Sequence, residues 1–170
     1  MEFVEGEIVV DDIDGFVETL SAIGEKHDCT IQAFDARYVA GREHLERAVS
    51  LADRAIEREE NVARDRAVEI LLYAAGRRQI NRALRMGLDS GENRAVVLVD
   101  AKRESADEAG AVTALRERLD LTPEPTLGVE HAEEELLREF FDIGVAELAA
   151  TDAGLPDLVL ERVALLDVEK

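Results

Sequence analysis

The residues of this chain best suited to chemistry lie between Glu69 and Leu88, in "EILLYAAGRRQINRALRMGL". After Glu69 this stretch has no acid, and it holds Arg77, Arg78, Arg82 and Arg85. Guanidinium groups are planar, always charged and rich in donors, so they suit phosphates, carboxylates and the faces of bases. Arg78, Arg82 and Arg85 are spaced by four and three residues, which places them on one side of a helix. Gly76 breaks the preceding helix, and a new helix start beside Arg77 would offer free backbone N–H groups to an anion. Gln79 adds an amide and Ile80 an apolar plate. Tyr73 reads two ways, as a core tyrosine with its hydroxyl at the surface or as a platform beside the arginines. Asn61, near Arg64, reads as a helix cap. This is chemistry for binding.

Groups for catalysis are missing from the pattern. His27, His44 and His131 have no second His or Cys at metal-ligand spacing, and Cys29 beside His27 is too little to hold an ion. "GRRQ" lacks the strand–loop–lysine pattern of a phosphate loop. "DAGLPD" carries neither a nucleophile nor a base, and acid pairs mean little in a chain with 39 acidic residues. The expectation is a protein that is not an enzyme, with no metal and no cofactor.

The setting of the arginines is unusual. The formal charge is −19, only Lys26, Lys102 and Lys170 are lysines, and the acids are spread along the whole sequence. Residues 64–88 nevertheless carry +4, so the remainder carries −23. Dispersed carboxylates keep a protein soluble in concentrated salt, where self-repulsion is screened, and the expected source is a halophilic organism. One cysteine allows no internal disulfide, as expected in a reducing cytoplasm. "MEFVEGEIVV" lacks the basic and apolar regions of a secretory signal. No apolar run approaches the ~20 residues of a membrane helix.

The elements that must position the arginines follow from periodicity. "GEIVVDD" reads as a first strand, "DIDGFVETLSAIGEKHD" as a helix started by Asp12 or Asp14, and "CTIQAFDA" as a second strand. "AGREHLERAVSLADRAIERE" puts Leu45, Val49, Ala52 and Ile56 on one stripe. "ARDRAVEILLYAA" is apolar on nearly every side and reads as a buried helix ending at Gly76. "RRQINRALRM" reads as a short helix with Ile80 and Leu84 inward, closed by Gly87. "NRAVVLVDA" is the clearest strand, "ESADEAGAVTALRERLDL" a helix and "TPEPT" a turn. "EHAEEELLREFFDI" and "LPDLVLERVALLDV" complete the chain as amphipathic helices, the second with some strand character. The expected architecture is α+β: one domain over residues 1–170, with a small mixed or antiparallel sheet covered by several helices.

"FDARYVAGREHLERAV", "ARDRAVEILLYAAGRRQINRALRMGL", "VVLVD" and "LVLERVALLDVE" together resemble the small non-catalytic subunit of the KEOPS complex, the TPRKB-like family. "EILLYAAGRRQI" is similar to that family's signature E-I-L-L-Y-x-x-G-x-R-Q-I. The resemblance implies a subunit that binds the small kinase/ATPase of KEOPS directly and reaches the transferase subunit through the complex. KEOPS forms threonylcarbamoyladenosine at position 37 of tRNA, and the archaeal members of this family hold the single-stranded 3′ CCA end. By motif the tRNA contact is implied at Gly76, Arg77, Arg78, Gln79 and Ile80, with Tyr73 and Arg82 beside them. No motif places the kinase contact; the expectation is an apolar helical face of the C-terminal helices, including Leu158, Val163 and Leu166. A second reading is a pure protein-interaction subunit whose arginines meet an acidic face of the kinase.

Overall fold

The computed structural model of the chain describes residues 1–128 and 133–169. The chain forms two compact units, each built from two stretches of sequence.

The first unit takes Met1–Asp35 and Gly87–Thr126. Its strands are β1 (Glu2–Val10), β2 (Cys29–Asp35), β3 (Gly91–Ala101) and β4 (Asp120–Pro123), and its helices are α1 (Ile13–His27) and α5 (Glu108–Arg118). The sheet order is β2-β3-β1-β4 with every pair antiparallel. β1 lies along β3 from Glu2 opposite Val99 to Val10 opposite Gly91. Alternate β1 residues Val4, Ile8 and Val10 are buried, as the two-residue period of a strand requires. They pack with Leu20 and Ile23 of α1 and with Ala111 and Leu115 of α5. Asp12 caps α1, its carboxylate accepting from Gly15 N at 3.2 Å. Asp107 does the same for α5 at Gly110 N, so the predicted helix over "ESADEAGAVTALRERLDL" starts later than its first residues.

"TPEPT", expected as a turn, gives Thr122 and Pro123 to the edge strand β4 instead. Proline is tolerated at a sheet edge because the missing N–H takes no ladder bond there. β4 reaches β1 closely only because residue 6 is glycine. A Cβ there would lie 2.4 Å from the Thr122 carbonyl oxygen.

The second unit takes Ala36–Met86 and Leu127–Lys170. A 3-10 turn (Ala36–Tyr38) leads to α2 (Arg42–Glu57), α3 (Arg66–Ala75) and a single-turn helix α4 (Ile80–Ala83), which tightens into a second 3-10 turn at Leu84–Met86. α6 (Glu134–Phe140), α7 (Val145–Ala150) and α8 (Leu155–Glu169) follow. The predicted stripe of α2 is confirmed: Leu45, Val49 and Ala52 are buried and Ile56 is half-buried. α2, α3 and α8 pack on one another. Arg66 on α3 makes a two-pronged bond to Asp53 on α2, at 2.7 and 2.8 Å. Arg54 on α2 reaches Asp167 on α8 at 3.0 Å.

Two further expectations are corrected here, and one element is new. "LPDLVLERVALLDV" is helical throughout, without strand character. α7 was not anticipated, and its six residues are too few to show a period. Ile80 and Leu84 point outward, 44% and 56% exposed, while Ala83 and Met86 are buried. α4 is a single turn whose inward position is Ala83, three residues on from Ile80, and the 3-10 turn after it buries Met86. The first residues of "EHAEEELLREFFDI", with His131, lie outside the described residues. No helix among the described residues is long and apolar enough to cross a membrane.

Candidate nucleic-acid interface

The arginine region is built on the end of α3. Asp65 caps that helix by accepting from Val68 N at 3.2 Å, so the cap is Asp65 and not Asn61. Asn61 instead donates its side-chain amide to Ala63 O at 2.8 Å. Buried Glu69 accepts from Val62 N and Ala63 N at 3.0 and 3.2 Å, fastening the same loop to α3. α3 ends at Gly76 with φ 61°, in the left-handed region that glycine reaches most readily. Its N–H and that of Arg77 close the helix on Tyr73 O and Leu72 O, both at 3.0 Å.

The predicted residues then divide by role. Tyr73 is fully buried, and its hydroxyl donates to Asp167 Oδ1 at 3.0 Å. Burial, and then the bond to Asp167, push its pKa up, so it stays a neutral donor. It is a core strut and not a ligand platform, because no face of its ring is open. Arg77 is half-buried. Its guanidinium donates to Phe140 O, lies 3.6 Å from Asp142 and sits 5.2 Å from the Phe140 ring centroid. It ties the turn after α3 to the end of α6. Arg78, Gln79, Ile80 and Arg82 are exposed and nearly consecutive. Arg78 also lines a pocket with Glu60, Asn61, Val62 and Asp167. Arg85 leaves this group and lies 5.9 Å from the Phe140 centroid.

The predicted helix-start anion site does not form. α4 is four residues long, too short for an appreciable macrodipole. The apolar side chains named for the kinase contact are also corrected: Leu158, Val163 and Leu166 are buried, on a helix packed against α2 and α3. The exposed apolar residues of α8 are Leu165 and Val168.

Sequence reasoning missed His44, which it weighed only as a metal ligand. His44 is buried; its Nδ1 accepts from Ala40 N at 3.1 Å, and its Nε2 lies 2.7 Å from Ala74 O. That pattern fixes the tautomer with the proton on Nε2. Burial lowers its pKa from 6.5 to about 4. Its ring meets Phe141 edge-on at 5.6 Å, and a Cβ at Gly76 would lie 3.8 Å from that same phenyl ring. The signal was available: His44 is one position from Leu45, on the buried side of the α2 stripe.

Among the described residues no group of His, Cys, Asp or Glu could hold a metal ion. A family model described as kinase binding protein CGI-121 matches residues 10–167. The chain belongs to the CGI-121 family. The resemblance carried by "AGREHL" and "EILLYAAGRRQI" is thereby confirmed. No curated protein matches the chain. In this CGI-121 member the family signature spans two roles, a buried half from Glu69 to Ala75 and an exposed half from Arg78 to Ile80.

Proposed function

We propose that this chain is a non-catalytic, kinase-binding subunit of a KEOPS-type complex that also recruits tRNA by its unpaired 3′ CCA end. Membership in a kinase-binding family supports the first half. The second half is supported by one observation: Arg78, Gln79, Ile80 and Arg82 stand exposed together on a turn braced from beneath by Arg77 and Gly76. On a chain of formal charge −19, an exposed isoleucine flanked by guanidinium groups is suited to unpaired bases. These offer faces to stack on and edges to hydrogen-bond, each stacked base contributing about 1–3 kcal/mol. In this reading the chain supplies no reacting group, and the transferase subunit performs the chemistry.

The test is tRNA binding by Ile80→Glu and Arg78→Glu, measured beside kinase-subunit binding. Both side chains are exposed, and circular dichroism equal to wild type is required of each variant before its binding is compared. The expected result is tRNA affinity reduced about tenfold or more, the loss of one stacking or guanidinium contact, with kinase binding unchanged. Affinity for tRNA equal to wild type in both variants would leave the chain a protein-interaction subunit only.

A further inference from the structure

His44 lies buried on the first turn of α2, with both ring nitrogens engaged. Gly41, at the N-cap of α2, has no side chain with which to cap the helix. His44 supplies that group. Its Nδ1 accepts from Ala40 N at 3.1 Å, a reach back from the third helical position like the one a glutamate makes in a capping box. The other nitrogen, Nε2, donates to Ala74 O at 2.7 Å. Burial keeps the ring neutral by lowering its pKa to about 4, so Nδ1 stays an acceptor. One side chain thus joins the start of α2 to the end of α3.

The bond falls where α3 gives way to the turn. The last carbonyls of a helix have no partner within it. Here Tyr73 O and Leu72 O are taken by the N–H groups of Gly76 and Arg77, at 3.0 Å each. Ala74 O, the next carbonyl, is taken by a side chain of another helix, His44. The same ring backs the turn through Phe141. That phenyl meets His44 edge-on at 5.6 Å and stands 3.8 Å from where a Gly76 Cβ would lie. Phe141 O in turn accepts from Arg162 Nε at 3.1 Å. Gly76 is seated against Phe141, itself packed on His44, while the residue two before it is tethered to His44 directly.

We propose that His44 is a positioning residue of the exposed turn: by joining the start of α2 to the end of α3 it fixes where Arg78, Gln79 and Ile80 stand. The proposal rests on the reading that this turn binds RNA. Arg78 follows Ala74 by only four residues, so a shift at the tether is passed on to the side chains that reach. α4 is a single turn, too short to hold a place of its own, and it inherits its position from the end of α3. Arg77 braces the turn from α6, and His44 braces it from α2. Stacking a base on one side chain while neighbouring guanidinium groups read its edge requires all of them in register. Loss of the tether leaves the chain folded and the turn free to shift.

Two amide side chains divide the imidazole between them. Asparagine reaches about as far as Nδ1 and still accepts from Ala40 N, whereas glutamine reaches about as far as Nε2 and still donates to Ala74 O. Val49→Ala, at a buried position of the same helix, removes core packing without touching either bond. Binding of a short single-stranded RNA ending in CCA is read by anisotropy on the full chain, beside urea unfolding, with circular dichroism equal to wild type required of each variant. His44→Asn is expected to bind about fivefold more weakly, while His44→Gln and Val49→Ala stay within about twofold of wild type although each is less stable. Equal losses in His44→Asn and His44→Gln, or a loss as large in Val49→Ala, would make His44 core packing only and overturn the proposal. Wild-type affinity in His44→Asn overturns it too, and in each of these cases RNA binding that Ile80→Glu still weakens leaves the exposed turn standing. Absence of RNA binding by the wild-type chain overturns both.

Discussion

At the scale of single residues, the arginine region is a division of labour between side chains that hold and side chains that reach. His44 belongs to the first group, and its chemistry makes it measurable. Its pKa is lowered to about 4 in the folded chain, against 6.5 without burial, because charging it inside would cost solvation and its Nδ1 would lose the ability to accept from Ala40. Above pH 6.5 the imidazole is neutral in both states and its contribution is complete. As pH falls from 6.5 toward about 4 the unfolded chain takes up a proton that the folded chain refuses, so stability falls through that window. Urea unfolding across this range is expected to show a pH slope in wild type that is reduced in His44→Gln, whose amide does not titrate. Equal slopes would mean that His44 is not neutral in the folded protein. Sequence patterning placed Leu45, Val49, Ala52 and Ile56 on the α2 stripe but missed His44, whose partners Ala40 N and Ala74 O are backbone groups and leave no mark in residue type.

At the scale of elements, the junction between α3 and α4 decides what the arginines can do. Gly76 adopts φ 61°, and a Cβ there would meet Arg162 O at 3.4 Å and the Phe141 ring at 3.8 Å. Gly76→Ala is expected to destabilise the chain by about 1 kcal/mol through left-handed strain, and to weaken RNA binding by shifting Arg77 and Arg78. Unfolding and binding measured together check this; a variant as stable as wild type would show that the turn relaxes freely. Gly76 as a helix stop, a cap at Asp12 or Asp14, of which Asp12 is the one that forms, and the α2 stripe were legible because each follows from local sterics or a sustained period. Other features were not. Ile80 and Leu84 lie on a single helical turn and the 3-10 turn after it, too short a stretch for a period to show which side faces inward. The burial of Leu158, Val163 and Leu166 depends on α8 meeting α2 and α3, and α8 is apolar on more than one side, so its inward face cannot be read from its pattern. β4 was hidden because Asp120–Pro123 holds polar residues and a proline, an edge-strand composition that also spells a turn.

At the scale of the whole molecule, the charge constrains how nucleic acid can be bound. A chain at −19 repels tRNA at long range. In molar salt the screening length is only about 3 Å, so attraction must come from groups in contact. Dispersed carboxylates also predict that folding itself depends on salt. Circular dichroism is expected to weaken in dilute buffer and recover in molar potassium chloride, and identical spectra would remove the halophilic reading. Binding through stacking and edge contacts, with few phosphates neutralised, gives a shallow salt dependence, unlike the steep loss of affinity that counterion release produces. The most direct measurement compares tRNA with and without its 3′ CCA end for binding to the purified chain in molar potassium chloride. Clear binding of the intact tRNA, reduced about tenfold or more by removal of the unpaired nucleotides, is the predicted result; equal affinity for the two tRNAs would contradict the account.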